Sequence, residues 1–288
     1  MGGGAALLGL SGEVSAEGVV RLLEGRDPAT GEWLGRAFGE DAVAGFDLTF
    51  RAPKSVSILF GIADAAVTRE VVAAHDAAVA EATAYMEREA CRARRGRAGA
   101  IVVKRHGFIA AAFRHRASRA GDPLLHTHVV VANATRAEEG RWTALHGQLL
   151  YRHAKTAGYL YQSVLRAELT ERLHVRWHAV EHGTADIVGV PPDVIEHFSQ
   201  RRAEVLAHMA ARGEHSARAA QVATLETRGA RSTTSRPNGC ATSGGRARPS
   251  TGSTASGCAG CSASRHAGWC STISRLSGSR DGWKVRRG

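Results

Sequence analysis

The chain has 288 residues, of which 43% are apolar, and this is enough for one large domain or two small ones. The sequence has no apolar run of about 18 residues, and the Met1–Leu8 stretch lacks the charged and apolar regions of a signal peptide, so we expect no membrane span and a cytoplasmic location. Of the 38 basic and 27 acidic residues, ten basic and one acidic lie in 229–288, leaving 28 and 26 in 1–228. The larger part is therefore nearly neutral, and DNA contacts would have to come from the local clusters Arg92–Arg97, Lys104–Arg105 and Arg114–Arg119.

The first third of the chain is predicted to contain helices and one clear strand. A short helix ends near Gly25, and the alternation of apolar and polar residues over Gly45–Phe50 predicts a half-buried strand. The apolar run Ser55–Phe60 fits either a strand or a helix. Apolar residues recur at helical spacing over Thr68–Arg95, which predicts a long helix that stops at Gly96.

The following residues alternate between strands and helices. Strands are predicted for Ala100–Phe113 (with a possible bend at Gly107), Leu124–Asn133, Gly140–Leu145 and Val175–Glu181. Helices are predicted for Gln148–His174 and from Pro191 to Gly213. This order of elements predicts an α+β domain with a mostly antiparallel sheet flanked by helices.

The composition changes abruptly near Gly229. Gly, Ser and Thr make up 29 of the last 60 residues, and aliphatic residues are scarce there. Such a segment cannot bury enough apolar surface to offset its chain entropy, so residues 229–288 are expected to be a disordered basic tail after a domain over 1–228. Either the tail is a solvated linker or it is translated out of frame, and the uncapped end of the preceding helical pattern favours the second explanation.

Three histidines form the most informative pattern. His126 and His128 alternate on the predicted strand Leu124–Asn133 and therefore project from one face. His115 ends the preceding strand, so an antiparallel pairing of the two strands would bring it over the same face. This predicts a three-histidine site for a divalent metal, although histidines on a strand are also often solvated or hydrogen-bonded within a fold.

The surrounding motif resembles that of the conjugative relaxases of the MobF (TrwC/TraI) class. The resemblance rests on Phe113-Arg-His115 and on Leu125-His-Thr-His128, in which His126 follows His115 by eleven residues. It rests also on Gly9–Gly12 and on Asp47–Ser57. It extends from about Gly2 to Arg228. A lone His-x-His pair would be a much weaker signal than this combination.

The resemblance implies a relaxase (HUH-type) palm whose three histidines hold a divalent ion, Mg, Mn or Zn, against the scissile phosphate of single-stranded DNA at a transfer origin. A tyrosine then attacks the phosphorus, and other conjugation proteins are possible partners. Asp47 matches the family's aspartate, which implies either that it orients a metal-bound histidine or that it acts as a base near the tyrosine. Alternatively, Asp47 is a solvent-facing strand residue.

Four basic residues are predicted to flank this site and to contact DNA phosphates: Lys54, Arg114, Arg116 and Arg119. The alternative is that they are ordinary surface cations. In either case they are local features of a nearly neutral domain.

The nucleophile is where this sequence departs from the family. Relaxase tyrosines precede the Gly-Leu-Ser-Gly segment, with which this chain begins, and its own tyrosines (Tyr85, Tyr151, Tyr159 and Tyr161) fall on predicted helices. We therefore expect a relaxase domain that is truncated at its N-terminus and inactive without that segment. The alternatives are a non-catalytic DNA- and metal-binding remnant, or a hydrolase that uses metal-activated water.

Overall fold

The computed structural model describes residues 1–35, 39, 42–95, 101–137, 139–227 and 284–286. In chain order its helices are α1 (Gly3–Leu7), α2 (Ala16–Leu23), α3 (Lys54–Ile62), α4 (Ala65–Ala90), α5 (Gly147–Leu173), α6 (Pro192–His197), α7 (Gln200–Ala211) and α8 (Ala217–Glu226). Its strands are β1 (Val43–Arg51), β2 (Arg92–Arg95), β3 (Ile101–Lys104), β4 (Ala110–Ala117), β5 (Pro123–Ala132), β6 (Thr135–Arg136), β7 (Trp142–Thr143) and β8 (Lys284–Arg286). The predicted α+β class with antiparallel sheets and helices is confirmed.

An antiparallel sheet in the order β4–β5–β1–β8 forms the centre of the fold. Strand β5 lies between β4 and β1, so that His126 is directly opposite both His115 and Arg51, and His128 is directly opposite Thr49. Directly opposite residues of antiparallel strands project from the same face. We call this side, which also carries Asp47 by alternation along β1, the histidine face.

The other side of the sheet, the helical face, packs on α3, α4 and α5. Its side chains alternate along β1 and β5 with those of the histidine face, and they are almost completely buried: Phe46, Leu48, Phe50, Leu125, Val129 and Val131. Removing each large apolar side chain from water contributes roughly 1.5–3 kcal/mol, so this layer fixes the helices against the sheet. Helix α4 is capped at its N-terminus by Asp64, whose carboxylate accepts hydrogen bonds from the N–H groups of Ala66 and Val67.

Helix α2 covers one end of the histidine face. Its N-cap Ser15 accepts a hydrogen bond from the N–H of Gly18, and Val19 and Leu23 pack against Val130 of β5. Further along the sheet, Thr49 and the histidines are less covered, and Thr49 is exposed. The open part of this face is therefore where a ligand can reach the sheet.

Two boundaries differ from the sequence predictions around the long helix. Helix α4 ends at Ala90, and Arg92–Arg95 is a strand paired with Ile101–Lys104 in a β-hairpin. The predicted strand Ala100–Phe113 is divided into β3 and β4, because Gly107 adopts a φ of 122° that interrupts an extended chain. Arginines suit the last turn of a helix, but here the strand pairing prevails over that preference.

Three further predictions are refined or corrected. The run Ser55–Phe60, which fits either a strand or a helix by sequence, lies in helix α3. Pro53, at the N-cap, is compatible with a helix start. Val175–Glu181 is not a strand; it contributes only to isolated bridges with residues 184 and 187. The helix predicted from Pro191 to Gly213 is two helices, α6 and α7, separated at Phe198 and Ser199.

Most of the expected tail, residues 229–283 and 287–288, lies outside the described residues, so its predicted disorder remains a prediction. Lys284–Arg286 are described, and they form a strand on the outer edge of β1 instead of disordered chain. An edge strand offers unpaired N–H and C=O groups, which a short extended segment can satisfy whatever its composition. Among the described residues, no helix is both long and apolar enough to cross a membrane.

Candidate metal centre

His115, His126 and His128 converge on the histidine face as the sequence predicted. Each ring offers one nitrogen, and these nitrogens all lie within 4.8 Å of one another. The ring centroids are 4.9 Å apart for His115 and His126, 5.0 Å for His115 and His128, and 5.2 Å for His126 and His128. The spacing follows from the β4–β5 register, which places His115 directly across from His126.

Asp47 lies directly behind His128. Its two carboxylate oxygens accept from Nδ1 of His128, at 2.8 and 3.0 Å, and the carboxylate is buried. The hydroxyl of Thr49 lies 3.1 Å from the same nitrogen and donates to Asp47 at 3.3 Å. A carboxylate can only accept here, so the proton of His128 is held on Nδ1 and the lone pair of Nε2 is left for a ligand.

His126 is held in a similar way by the backbone. Its Nδ1 donates to the carbonyl oxygen of Leu124 at 2.9 Å, which again leaves Nε2 as the lone-pair atom. Burial is the largest cause that lowers the pKa of His126 to about 4, and the nearby His128, His115 and Arg51 lower it further. The ring is therefore neutral near pH 7, as a metal ligand must be.

The four predicted DNA-contacting residues are not placed together at this centre. The ammonium of Lys54 donates to the carbonyls of Pro123 and Phe198, at 3.0 and 2.8 Å. Arg114 and Arg116 leave β4 on the helical face, because they alternate with His115. There Arg114 pairs with Asp76 of α4, and Arg116 lies over the ring of Phe60 of α3. Arg119 is exposed in the turn between β4 and β5.

Sequence reasoning missed two residues of this face, Thr49 and Arg51. Both follow Asp47 at intervals of two along β1, so they share its face. Period-two alternation starting from Asp47 would have identified them, but only once the strand was known to pair with the histidine strand.

The basic clusters Arg92–Arg97 and Lys104–Arg105 meet, as far as they are described, in the β2–β3 hairpin. Arg94 and Lys104 are exposed on it, and so are the apolar side chains of Ile101 and Val102, at 57% and 48%. Arg105 is buried instead. The hairpin therefore presents both cations and apolar groups to solvent.

The tyrosines lie on helices α4 and α5, which pack against the helical face. Tyr161 is buried and hydrogen-bonded to Nδ1 of His75 at 2.8 Å, and burial raises its pKa. Tyr85 is hydrogen-bonded to Nδ1 of His153 at 2.8 Å. Tyr151 and Tyr159 are both on α5. None of these helices carries a tyrosine over the three histidines.

A three-histidine cluster on an antiparallel sheet with helices on the opposite face is the arrangement that the resemblance to relaxases predicted. The model of the TrwC relaxase family matches residues 1–243, and the chain belongs to this family. The multifunctional conjugation protein TraI of Escherichia coli is 32% identical over 237 residues, which is 79% of this chain and 13% of TraI. The chain thus spans only a small part of this curated relative.

Solved structures of TrwC share the fold. A TrwC complexed with a 27-mer DNA comprising the recognition hairpin and the cleavage site has a TM-score of 0.73 and 33% identity, covering 82% of this chain and 85% of that one. A metal-bound TrwC in complex with oriT DNA has the same TM-score and identity, covering 82% and 83%. The family match ends at residue 243, fifteen residues beyond the boundary expected at 228.

Proposed function

We propose that this chain forms the relaxase domain of a conjugation protein, which binds single-stranded DNA at a transfer origin and acts on one phosphodiester with the help of a divalent metal ion. The observation that carries the proposal is the convergence of His115, His126 and His128 in a member of the TrwC relaxase family. Solved structures show TrwC complexed with DNA that comprises the cleavage site and in a metal-bound form, which supports both parts of the proposal.

The donor set fits a divalent ion. Three imidazole nitrogens leave coordination positions open for phosphate and water, and they favour zinc-like transition metals over Mg²⁺, which prefers oxygen. The chain already fixes the tautomers of His126 and His128 through Leu124 and Asp47. When bound, such an ion stabilises the negative charge that gathers on a phosphate oxygen during transesterification.

Asp47 is proposed to act as a positioning residue. Both of its oxygens contact the Nδ1 of His128, so the carboxylate orients that ring and increases its basicity. The alternative role, a base near the attacking tyrosine, would require the carboxylate to leave this contact. The buried position of Asp47 therefore supports orientation of the ring.

We propose that the attacking tyrosine is none of the four in this chain. In the transesterification, its oxygen would bond to phosphorus while the 3′-oxygen leaves, and the nucleophile must be in line with that oxygen. The placement of the four tyrosines on helices α4 and α5, which pack against the helical face, supports this proposal. We infer that the nucleophile is a residue other than these four.

DNA contacts are proposed at two places. One is the histidine face itself, and the other is the β2–β3 hairpin, where Arg94 and Lys104 are exposed. A two-stranded ribbon with cations can follow a DNA backbone or enter a groove. We also propose that residues 1–228 form the working domain, that it acts in the cytoplasm, and that other conjugation proteins are its partners.

Metal binding tests the proposal directly. The purified chain, dialysed against Zn²⁺ or Mn²⁺, should retain about one ion, and His126→Ala should lose it, because a two-histidine remnant binds far more weakly. His153→Ala is the matched control, since His153 lies on α5 and contacts Tyr85. Metal content is measured by mass spectrometry, and affinity by calorimetry.

Two results would contradict the proposal. Equal metal content in the wild type and His126→Ala would show that the three histidines are not the metal site. A wild type that binds metal but shows no salt-dependent affinity for single-stranded DNA would favour a metal that only stabilises the fold, as in a non-catalytic remnant.

A further inference from the structure

Arg51 is the last residue of β1 and lies at the three-histidine centre. It is directly opposite His126 in the β1–β5 register, so its side chain leaves the sheet on the histidine face. The side chain is exposed, and its positive charge is one of the causes that lower the pKa of His126. Arg51 is therefore close enough to act on a group bound by the histidines.

The backbone around Arg51 is firmly held. Its carbonyl accepts a hydrogen bond from Nε2 of Gln162 at 3.0 Å, and the N–H of Ala52 donates to Leu125 at 3.0 Å. These contacts tie the end of β1 to α5 and to β5. The guanidinium thus has a fixed point of attachment and moves only within the reach of one side chain.

The charge of Arg51 is not compensated within the described part of the chain. Its guanidinium makes no ion pair or hydrogen bond there, whereas Arg114 pairs with Asp76 and Arg172 pairs with Glu70 and Glu168. Asp47, the carboxylate that contacts the histidines, is committed to His128. A bound divalent ion and Arg51 would together carry three positive charges, of which the carboxylate of Asp47 offsets one. The remaining positive charge attracts an anion.

We propose that Arg51 binds the non-bridging oxygens of the DNA phosphate held at the three-histidine centre. This inference rests on the proposed function and names a residue that recognises its substrate. A guanidinium is planar, always charged and able to donate two parallel hydrogen bonds to a phosphate. Arg51 thereby fixes the phosphate from the β1 side, while the histidines face it from β4 and β5.

The test measures binding of a twelve-residue thymidine oligonucleotide, dT12, by fluorescence anisotropy in the presence of Mn²⁺. Arg51→Gln should weaken binding about tenfold and reduce the salt dependence by about one phosphate contact. Arg51→Lys should recover part of the loss, and its thermal transition verifies that the fold is intact. Arg69→Gln on α4, which removes the same charge from an exposed helix position, should change affinity less than about twofold.

A second experiment tests whether Arg51 acts at the metal centre or only as part of a basic surface. In the His126→Ala background, Arg51→Gln should weaken dT12 binding by less than about twofold, because the two residues act on the same phosphate and their effects do not add. Metal content of Arg51→Gln should equal that of the wild type.

Each outcome decides the matter. A wild type that fails to bind Mn²⁺ or fails to bind dT12 would overturn the proposed function, and the inference with it. If the wild type binds both, then unchanged affinity in Arg51→Gln, equal loss in Arg69→Gln, or full additivity with His126→Ala would overturn the inference alone.

Discussion

Asp47 shows how strongly a single residue depends on its position along a strand. It has apolar neighbours, Phe46 and Leu48, that point into the helical core, and this alternation sends its carboxylate to the histidine face. A buried carboxylate is costly unless it is hydrogen-bonded. The contact with His128 meets that need and orients the ring at the same time.

On the helical face, His75 is, like Asp47, a buried polar side chain that is held by hydrogen bonds. It is completely buried, and its two ring nitrogens contact the hydroxyls of Tyr161 and Thr127, at 2.8 and 2.7 Å. Thr127 lies between His126 and His128, so this chain of contacts ties helices α4 and α5 to the strand that carries the site. Burial is the largest cause that lowers the pKa of His75 to about 4.

The shifted pKa of His75 predicts a pH-dependent stability. Between an unfolded pKa of 6.5 and a folded pKa of about 4, the unfolded chain binds a proton that the folded chain does not, so stability falls as pH drops through this window. From pH 7 to pH 5, His75 should account for a loss of about 2 kcal/mol in the free energy of unfolding. Urea unfolding of the wild type and His75→Gln at both pH values measures the difference.

His178→Gln serves as the control for this experiment, because His178 is exposed. His126 is present in the wild type and in both variants. If His75→Gln loses as much stability as the wild type between pH 7 and pH 5, the buried ring is not the cause.

At the scale of the elements, α3 is joined to two distant parts of the chain by its first residues. Ser55 donates its hydroxyl to Asp186 at 2.6 Å and accepts the N–H of Ile187 at 2.9 Å. Lys54 donates to the carbonyls of Pro123 and Phe198. Helix α3 therefore connects the start of β5 with the segment that leads from α5 to α7.

These contacts favour an anchoring role for Lys54 over the phosphate contact predicted from sequence. Lys54→Met should lower the free energy of unfolding by about 1–3 kcal/mol, because two carbonyls lose a charged donor. The salt dependence of DNA binding should remain that of the wild type. Lys155→Met, at a cation lying over the ring of Tyr159, is the control.

Urea unfolding and a salt titration of dT12 binding distinguish the two roles of Lys54. The opposite result is a Lys54→Met variant that unfolds like the wild type while the salt dependence of its dT12 binding falls by one phosphate contact. That result would support the phosphate contact predicted from sequence.

On the scale of the whole molecule, the question is where the folded domain ends. The expected boundary is at 228, the family match reaches 243, and three tail residues pair with β1. A three-residue edge strand adds little buried surface, since it has a single neighbour in the sheet. We therefore expect the domain to be nearly independent of the tail.

Chains ending at Arg228 or at Ser243 should keep the metal content of the full chain and melt within about 2 °C of it, a shift that corresponds to no more than about 1 kcal/mol in a chain of this size. Calorimetry and metal analysis measure both quantities. A lower melting temperature for the Arg228 chain alone would extend the domain to residue 243, and a drop in both chains would show that the remaining tail packs on the body.

The local sequence pattern was sufficient to predict many of the elements of this protein and the histidines of its site. Alternation on Leu124–Asn133 places His126 and His128 on one face, helical spacing predicts the long helices, and the motif around His115 indicates the relaxase family. These features depend on neighbours in sequence, whose relative positions the backbone geometry determines. The convergence of the three histidines needed only one further assumption, an antiparallel pairing of two consecutive strands.

Only the tertiary structure decided which residues surround the site. Arg114 and Arg116 are adjacent to His115 in sequence but lie on the helical face, and Lys54 is occupied by two carbonyls. Arg51 is 75 positions from His126 and yet lies directly opposite it. The physical reason is that strand register and helix packing are set by burying the whole apolar layer, which involves residues far apart in the chain.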